Sequence, residues 1–190
     1  NRWVQTERLA RQRQVLAGQL AADQVAQPDD GVANTHIVAH AGRVFALEEA
    51  HLPMEIALAS LDTRGACDFD GTLPHGPFTA HPKTDPATGE MLFFGYGSPD
   101  RLSAGMSFGV LSPQGRVTQF EHFQAPYASM VHDFAITERH VIFPVLPLTG
   151  SVARAQAGRP PYAWEPEYGA RVGLMPRGGS VQDLVWWEGP

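Results

Sequence analysis

Two histidines, His81 and His132, occupy matching positions in two stretches of sequence that share one pattern. In each stretch the histidine precedes a turn and then a strand rich in apolar and aromatic residues: TAHPKTDPATGEMLFFGY, residues 79–96, and MVHDFAITERHVIFPV, residues 130–145. A short strand is expected to carry His81, and His132 is expected to open a hairpin. Neutral imidazole is a good ligand for Fe(II), and repeated units could direct one imidazole each toward a shared point. The pattern makes His81 and His132 candidate metal ligands. On the residues alone, a hydrogen-bonding histidine at a strand edge is the favoured interpretation of each.

The elements around these histidines form an internal repeat. His36, His81 and His132 open three units of short strands at intervals of 45 and 51 residues, so periodicity by itself nominates His36 as a further ligand. Four-stranded units that repeat every 40–50 residues or so are typical of a β-propeller. Three units do not close a ring, because about four to eight blades are needed. The sequence therefore predicts an all-β fold, a partial β-propeller of about three four-stranded blades.

The chain divides into two parts. Residues 1–33 are expected to form a helical and loop segment, with a helix from Thr6 to Gln24 that ends at the break Gln27–Gly31. Residues 34–190 are expected to form consecutive propeller blades of one incomplete domain.

Turn residues punctuate the predicted strands. In the first blade we expect a hairpin, then the strand EIALASL, and a stop at Asp62–Gly65. In the second blade two strands are expected to pair across Ser112–Gly115. A long irregular loop is expected over residues 149–169, and helix is expected only within residues 1–27 and 150–170.

Composition excludes several classes of function. The chain has 190 residues and a formal net charge of −6, so it can bury a sizeable core but lacks the basic face that nucleic acid requires. Cys67 is the only cysteine, which excludes a disulfide framework and a cysteine-based metal site and fits a reducing compartment. No stretch reaches the apolar length of a membrane span and no signal peptide is recognisable, from which we expect a cytoplasmic protein.

The two histidine stretches closely resemble the first two iron-ligand segments of the carotenoid cleavage oxygenases, a family that includes bacterial apocarotenoid and stilbene cleavers. The resemblance extends to NRWVQTER, to NTHIVAHAGRVFALEEAHLPMEI and to the closing WWEGP. It implies a seven-bladed propeller with loops that cap an iron site, of which this chain would be a little under half. The family's third and fourth histidine motifs would then lie beyond Pro190, in the remaining C-terminal half of the same polypeptide.

The resemblance implies a non-haem Fe(II) oxygenase that cleaves a conjugated C=C bond of a carotenoid or apocarotenoid with O₂ and gives aldehyde or ketone products. His81 and His132 would bind the iron, and Glu49 in ALEEAHLP would accept a hydrogen bond from a ligating imidazole. The family does not use the position of His36. The implied partners are a small hydrophobic alkene and O₂, with no nucleic acid and with peripheral membrane contact for substrate uptake.

A stilbene or another phenylpropenoid alkene is the alternative substrate. Stilbene-cleaving relatives hold the substrate phenol with a lysine just before the equivalent of Glu49 and with a tyrosine near the N-terminus. The resemblance places Glu48 and Trp3 there, and these side chains cannot make the same contact. Several apolar side chains would suit a polyene, although a place in the blade cores is expected for most of them: Phe93, Phe94, Phe143 and Leu146.

Two further alternatives belong to other classes of protein. Gly105–Gly109 fits the G-x-S-x-G pattern of a serine hydrolase with Ser107 as the nucleophile, but that pattern needs a following helix where a strand is predicted. A non-catalytic propeller module for binding is the other alternative. Asp133 is expected to be structural, and surface or packing positions are expected for the remaining histidines: His40, His51, His75, His122 and His140.

Overall fold

Three four-stranded antiparallel sheets follow one another along the chain. The structure is a computed structural model and describes residues 2–24, 31–73 and 76–189. Within each sheet, strands that are neighbours in space are also neighbours in sequence, apart from one insertion in the last sheet. This up-and-down order is that of a propeller blade, so the predicted partial propeller is confirmed. The division into residues 1–33 and 34–190 stays a prediction.

The N-terminal segment forms a shorter helix than the sequence predicts. Helix α1 covers Glu7–Leu16, and the Thr6 hydroxyl accepts a hydrogen bond from the Leu9 N–H at 3.2 Å, which caps the first turn. The helix ends early because Gly18 takes a φ of 70° and turns the chain away from the helix axis. A short 3-10 turn at Ala22–Gln24 follows. Most of the predicted break after it lies outside the described residues.

The first blade begins with the predicted hairpin and ends with a strand where the sequence predicts a stop. This outer strand carries polar residues whose side chains alternate between exposed and half-buried positions. An edge strand tolerates such residues because one of its faces meets solvent, so the stop predicted at Asp62–Gly65 is wrong. The strands are β1 (His36–His40), β2 (Arg43–Leu47), β3 (Met54–Ala57) and β4 (Asp62–Ala66).

The second blade contributes to both hydrophobic clusters, and its third strand is buried along its whole length. The predicted pairing across Ser112–Gly115 is confirmed by the antiparallel register on both sides of that turn. The sequence predicts that His81 lies in a short strand. In the structure it lies in the bend just before the first strand of this blade. The strands are β5 (Lys83–Thr84), β6 (Met91–Tyr96), β7 (Gly105–Leu111) and β8 (Val117–Gln124).

The third blade carries an insertion with a structure of its own. Where the sequence predicts a long loop, two short strands pair with each other around a helix: β11 (Leu148–Gly150), α2 (Val152–Gln156) and β12 (Tyr162–Trp164). A 3-10 turn at Val181–Asp183 lies outside the two regions where helix is predicted. The blade itself consists of β9 (Ala135–Ile136), β10 (His140–Val145), β13 (Arg171–Pro176) and β14 (Val185–Glu188).

Two hydrophobic clusters join the blades, and neighbouring residues of β6 point into different ones. Phe93 packs into the cluster between the first and second blades, and Phe94 into the cluster between the second and third. This division follows from the alternation of side chains along a strand. Phe143 lies in the same cluster as Phe94, so the core positions predicted for these three residues are confirmed. Leu146, in contrast, is 49% exposed.

Polar contacts add to both joints between blades. His40, at the end of β1, donates from Nε2 to the Ser112 carbonyl at 2.8 Å and so joins the first blade to the second. Arg177 and Asp85 form an ion pair at 2.5 Å between the third blade and the second. The expected packing role of His40 is therefore confirmed. His122 and His140 are exposed, as expected, and His75 lies outside the described residues.

Candidate metal centre

The structure brings His81 and His132 together. Their Nε2 atoms lie 3.1 Å apart, and the rings meet edge to face with 4.7 Å between their centroids. A bond between imidazole and a divalent first-row metal such as zinc is about 2.0–2.1 Å long, so two imidazoles that share one ion at a right angle place their nitrogens about 3 Å apart. The pair therefore has the spacing of two neighbouring metal ligands. That the two residues bind a metal stays a prediction.

Both histidines lie just before the first strand of a blade, His81 before β5 and His132 before β9. Equivalent positions in successive propeller blades face the same central axis, which explains why residues 51 positions apart meet there. Lys83 Nζ also lies 2.7 Å from Asp133 Oδ1. This ion pair links the segment of His81 to the segment of His132, in keeping with the structural role expected for Asp133.

Glu49 lies behind His132, as the resemblance implies. The His132 ring donates from Nδ1 to Glu49 Oε2 at 2.8 Å, and this bond leaves the Nε2 lone pair of a neutral ring directed toward His81. Burial is the main cause that lowers the pKa of His81 below its usual value, and it favours the neutral imidazole that metals bind. A neutral His81 ring can also present an unprotonated Nε2, and two such nitrogens 3.1 Å apart fit a shared divalent metal.

The described part of the chain supplies at most an incomplete ligand set. Within residues 2–24, 31–73 and 76–189, no group of three or more histidine, cysteine, aspartate or glutamate side chains is arranged to hold a metal. His36, which periodicity nominates, lies close to the pair, with its ring centroid 5.9 Å from that of His81. Its Nδ1, however, donates to the Ala80 carbonyl at 2.8 Å. The three histidines do not form a group that could hold one metal, so the structure places His36 beside the pair and not within it.

A cavity of about 960 Å³ opens beside Glu49. The Tyr96 phenol lines this cavity together with Glu49 and Tyr162. Burial raises the pKa of Tyr96 far above its usual value, and the nearby Glu49 carboxylate raises it further. Tyr96 therefore stays protonated beside the carboxylate that accepts from His132. Sequence reasoning missed this residue, because a tyrosine at the end of a buried aromatic strand reads as core.

Glu48 does not occupy the same site as Trp3. Glu48 accepts a hydrogen bond from the His51 ring, and Arg101 donates to the other nitrogen of that ring at 3.0 Å. His51 and Arg101 line the cavity beside Glu49, so the position of His51, expected at the surface or in packing, is in a cavity wall. The spacing of a glutamate three residues before a histidine is the pattern that could have indicated this contact. Trp3 is 76% exposed and lines a smaller cavity beside Leu61.

The serine hydrolase alternative does not fit the structure. Ser107 lies in the middle of β7, is fully buried and finds no hydrogen-bond partner among the described residues. After Gly109 the chain continues into β8 and not into a helix. A side chain at Gly109 would place its Cβ 2.2 Å from the Phe93 ring. The glycine of the pattern is therefore required for packing.

Replacement of Ser107 by Ala is expected to leave oxygen-dependent activity unchanged and stability unchanged or slightly higher, because the substitution removes a buried hydroxyl that lacks a partner. Gly109→Ala is the contrasting variant, with an expected loss of about 1–3 kcal/mol from overpacking against Phe93. Urea unfolding and turnover of both variants test this. Loss of activity in a folded Ser107→Ala protein would return the hydrolase alternative.

Two blades of a propeller-type fold each present one imidazole to a shared point, with a carboxylate behind one of the two rings. The chain belongs to the family whose model is described as "RPE65: Retinal pigment epithelial membrane protein", which matches residues 1–190. The resemblance to carotenoid cleavage oxygenases is thereby confirmed.

Several relatives with named activities are similar to this chain. Isoeugenol monooxygenase of Pseudomonas nitroreducens is 38% identical over 100% of this chain and 41% of its own length. Carotenoid cleavage oxygenase 1 of Neurospora crassa is 36% identical over 100% of this chain and 37% of its own length. The crystal structure of Pseudomonas brassicacearum lignostilbene dioxygenase superposes with a TM-score of 0.90 and 41% identity, covering 100% of this chain and 41% of that chain. The chain thus spans about two fifths of these relatives.

Proposed function

We propose that this chain is part of an Fe(II)-dependent oxygenase that cleaves a conjugated C=C bond with O₂ and gives aldehyde or ketone products. The observation that carries the proposal is the pair of Nε2 atoms 3.1 Å apart. Glu49, which accepts from His132, supports it, because a carboxylate behind an imidazole is typical of metal-ligating histidines. A propeller module without catalytic function would have no use for this arrangement.

His81 and His132 would hold the iron, and ligands from outside these residues would complete its coordination. The bound iron supplies the activation of O₂ next to the alkene. The chain's own residues do the positioning. Glu49 keeps the proton of His132 on Nδ1, so that Nε2 stays available to a metal. Tyr96 lies on the cavity side of Glu49 as a protonated phenol and adds no second negative charge beside the carboxylate.

The substrate is a hydrophobic alkene, and two classes have relatives here. A phenylpropenoid is the first candidate, since isoeugenol monooxygenases reach 38% and 42% identity, against 36% for carotenoid cleavage oxygenase 1 of Neurospora crassa. The cavity beside Glu49 also combines apolar walls with the polar groups Arg101 and Tyr162, and such polar groups orient a ligand with a phenolic end. An apocarotenoid is the second candidate.

We further propose a cytoplasmic location, since the one cysteine, Cys67, is a buried free thiol as in a reducing compartment. None of the helices in the described ranges is long and apolar enough to cross a membrane. Peripheral contact with a membrane for substrate uptake stays a prediction.

The test uses the whole protein, loaded with Fe(II) without oxygen and then supplied with air. Isoeugenol, a hydroxystilbene and a β-apocarotenal are offered separately, and carbonyl products are identified by mass spectrometry alongside the iron content. We expect about one iron per chain and cleavage at a C=C bond that stops when a chelator removes the metal. A protein that binds no iron, or that cleaves after the chelator has removed it, contradicts the proposal.

Replacement of Glu49 by Gln is expected to lower iron affinity and turnover by about 10- to 100-fold. The amide oxygen still accepts from His132 Nδ1, but the negative charge that makes the ring more basic is lost. Chelator competition measures the affinity. Glu48→Gln is the matched control, because Glu48 bonds to His51 and not to a ligand. Equal affinity in Glu49→Gln and the unchanged protein would mean that Glu49 has a purely structural role.

A further inference from the structure

The peptide unit that joins Ala80 to His81 is hydrogen-bonded on both sides. Its carbonyl oxygen lies 2.8 Å from His36 Nδ1, and because a carbonyl only accepts, the imidazole nitrogen carries the proton. Its N–H donates to the Thr79 hydroxyl at 3.0 Å. Ala80 is fully buried, so this carbonyl depends on a protein donor. The two bonds together fix the plane of the peptide from which the His81 side chain starts.

Strand pairing does not orient the peptide that precedes His81. The residue lies in a bend, and β5 begins only at Lys83. In a strand, ladder hydrogen bonds would orient the peptide, whereas here the donor comes from the first residue of β1, 44 positions earlier. The His36 ring also stands next to the His81 ring, tilted by 31°. It therefore limits the swing of His81 as well as the rotation of its backbone.

We infer that His36 is a positioning residue that orients His81 for metal binding by clamping the Ala80 carbonyl. This inference rests on the proposed iron site. His36 acts through His81 and is not itself a ligand, because His36, His81 and His132 are not arranged as a group that could hold one metal. Groups that orient a ligand typically change metal affinity or activity by about 10- to 100-fold. A single hydrogen bond to the backbone next to the ligand should lie near the lower end of that range.

His40 provides a matched control at the other end of β1. Its ring donates to the Ser112 carbonyl at 2.8 Å, so it makes the same kind of bond between the same two blades. Ser112, however, follows β7 and is remote in sequence from both proposed ligands. A role in blade docking alone would make His36 and His40 equivalent, whereas a positioning role would separate them.

The experiment measures Fe(II) affinity of the whole protein by chelator competition and the visible d–d absorption of the Co(II)-substituted form. In His36→Leu we expect about 10-fold weaker iron binding and shifted Co(II) bands. In His36→Asn, whose amide nitrogen can take the place of Nδ1, we expect affinity within about 2-fold of the unchanged protein. In His40→Leu we expect a lower melting temperature, because a buried contact is lost, with unchanged iron affinity and an unchanged Co(II) spectrum.

Unchanged iron affinity in His36→Leu, an equal loss in His40→Leu, or failure of His36→Asn to restore binding would each overturn the role of His36 and leave the proposed oxygenase intact. Absence of iron binding in the unchanged protein would contradict the proposed function itself. If His36→Leu does not fold by circular dichroism, His36→Gln replaces it, since the glutamine nitrogen lies one bond further out. The same loss of affinity is expected there, and its absence would also overturn the inference.

Discussion

Replacement of His132 by Ala is expected to abolish iron retention and substrate cleavage together. The variant loses one of the two imidazole nitrogens that face each other at 3.1 Å, and it leaves Glu49 without the donor that it accepts from. Loss of a ligand must exceed the effect of losing a group behind one, so we expect affinity for Fe(II) to fall by more than about 100-fold. Iron content after dialysis and turnover with each candidate alkene measure the two effects.

His140→Ala is the control for this substitution, since His140 is exposed on β10 and belongs to the same blade. It should keep both iron and activity. Circular dichroism of the His132 variant shows whether the blades are intact. Full iron occupancy in a folded His132→Ala protein would remove the proposed metal site and the mechanism built on it.

Replacement of Phe143 by Ala is expected to have the largest effect on stability, a loss of about 3–5 kcal/mol. The Phe143 side chain is fully buried, and its ring lies 5.2–6.2 Å from four other phenylalanine rings. These rings come from three strands and from the segment before β9: Phe94, Phe108, Phe123 and Phe134. Truncation would leave a cavity that joins the second and third blades and that the rigid sheets cannot close.

Denaturant unfolding of the whole protein measures this loss, with the midpoint and the slope compared to the unchanged protein. Leu146→Ala is the control, because Leu146 follows the same strand but is 49% exposed; its effect should stay within about 0.5 kcal/mol. A loss below about 1 kcal/mol in Phe143→Ala would mean that this aromatic cluster does not join the blades.

The strands that the sequence predicts well are those whose apolar residues face a core. Strands β6 and β7 carry such residues on both faces and lie where the sequence places them. The edge strand β4 escaped prediction because nothing in it is fully buried. Its polar residues resemble a turn until the pairing with β3 is known, and that pairing depends on tertiary packing.

The residues of the candidate site also divide into those that the sequence indicates and those that only the structure shows. His81, His132 and Glu49 could be named from motifs, and the structure places them within hydrogen-bond distance of one another along a chain of contacts. Tyr96 and His36 could not be assigned their contacts, because their partners lie far away in sequence. The periodicity that nominates His36 as a ligand did identify the right neighbourhood. It could not show that the proton on Nδ1 is directed at a carbonyl.

The contacts that hold the segments of His81 and His132 together determine when the conformational entropy of the candidate site is lost. Lys83 and Asp133 are part-exposed, with 28% and 50% of their side chains accessible, so this ion pair alone contributes little. The docking of the second and third blades, centred on Phe143, does most of the ordering. The segments that carry His81 and His132 therefore lose their rotational freedom when the blades fold and not when a metal binds. As a consequence, a substitution that loosens this joint is expected to weaken binding at the proposed metal site without a change to His81 or His132.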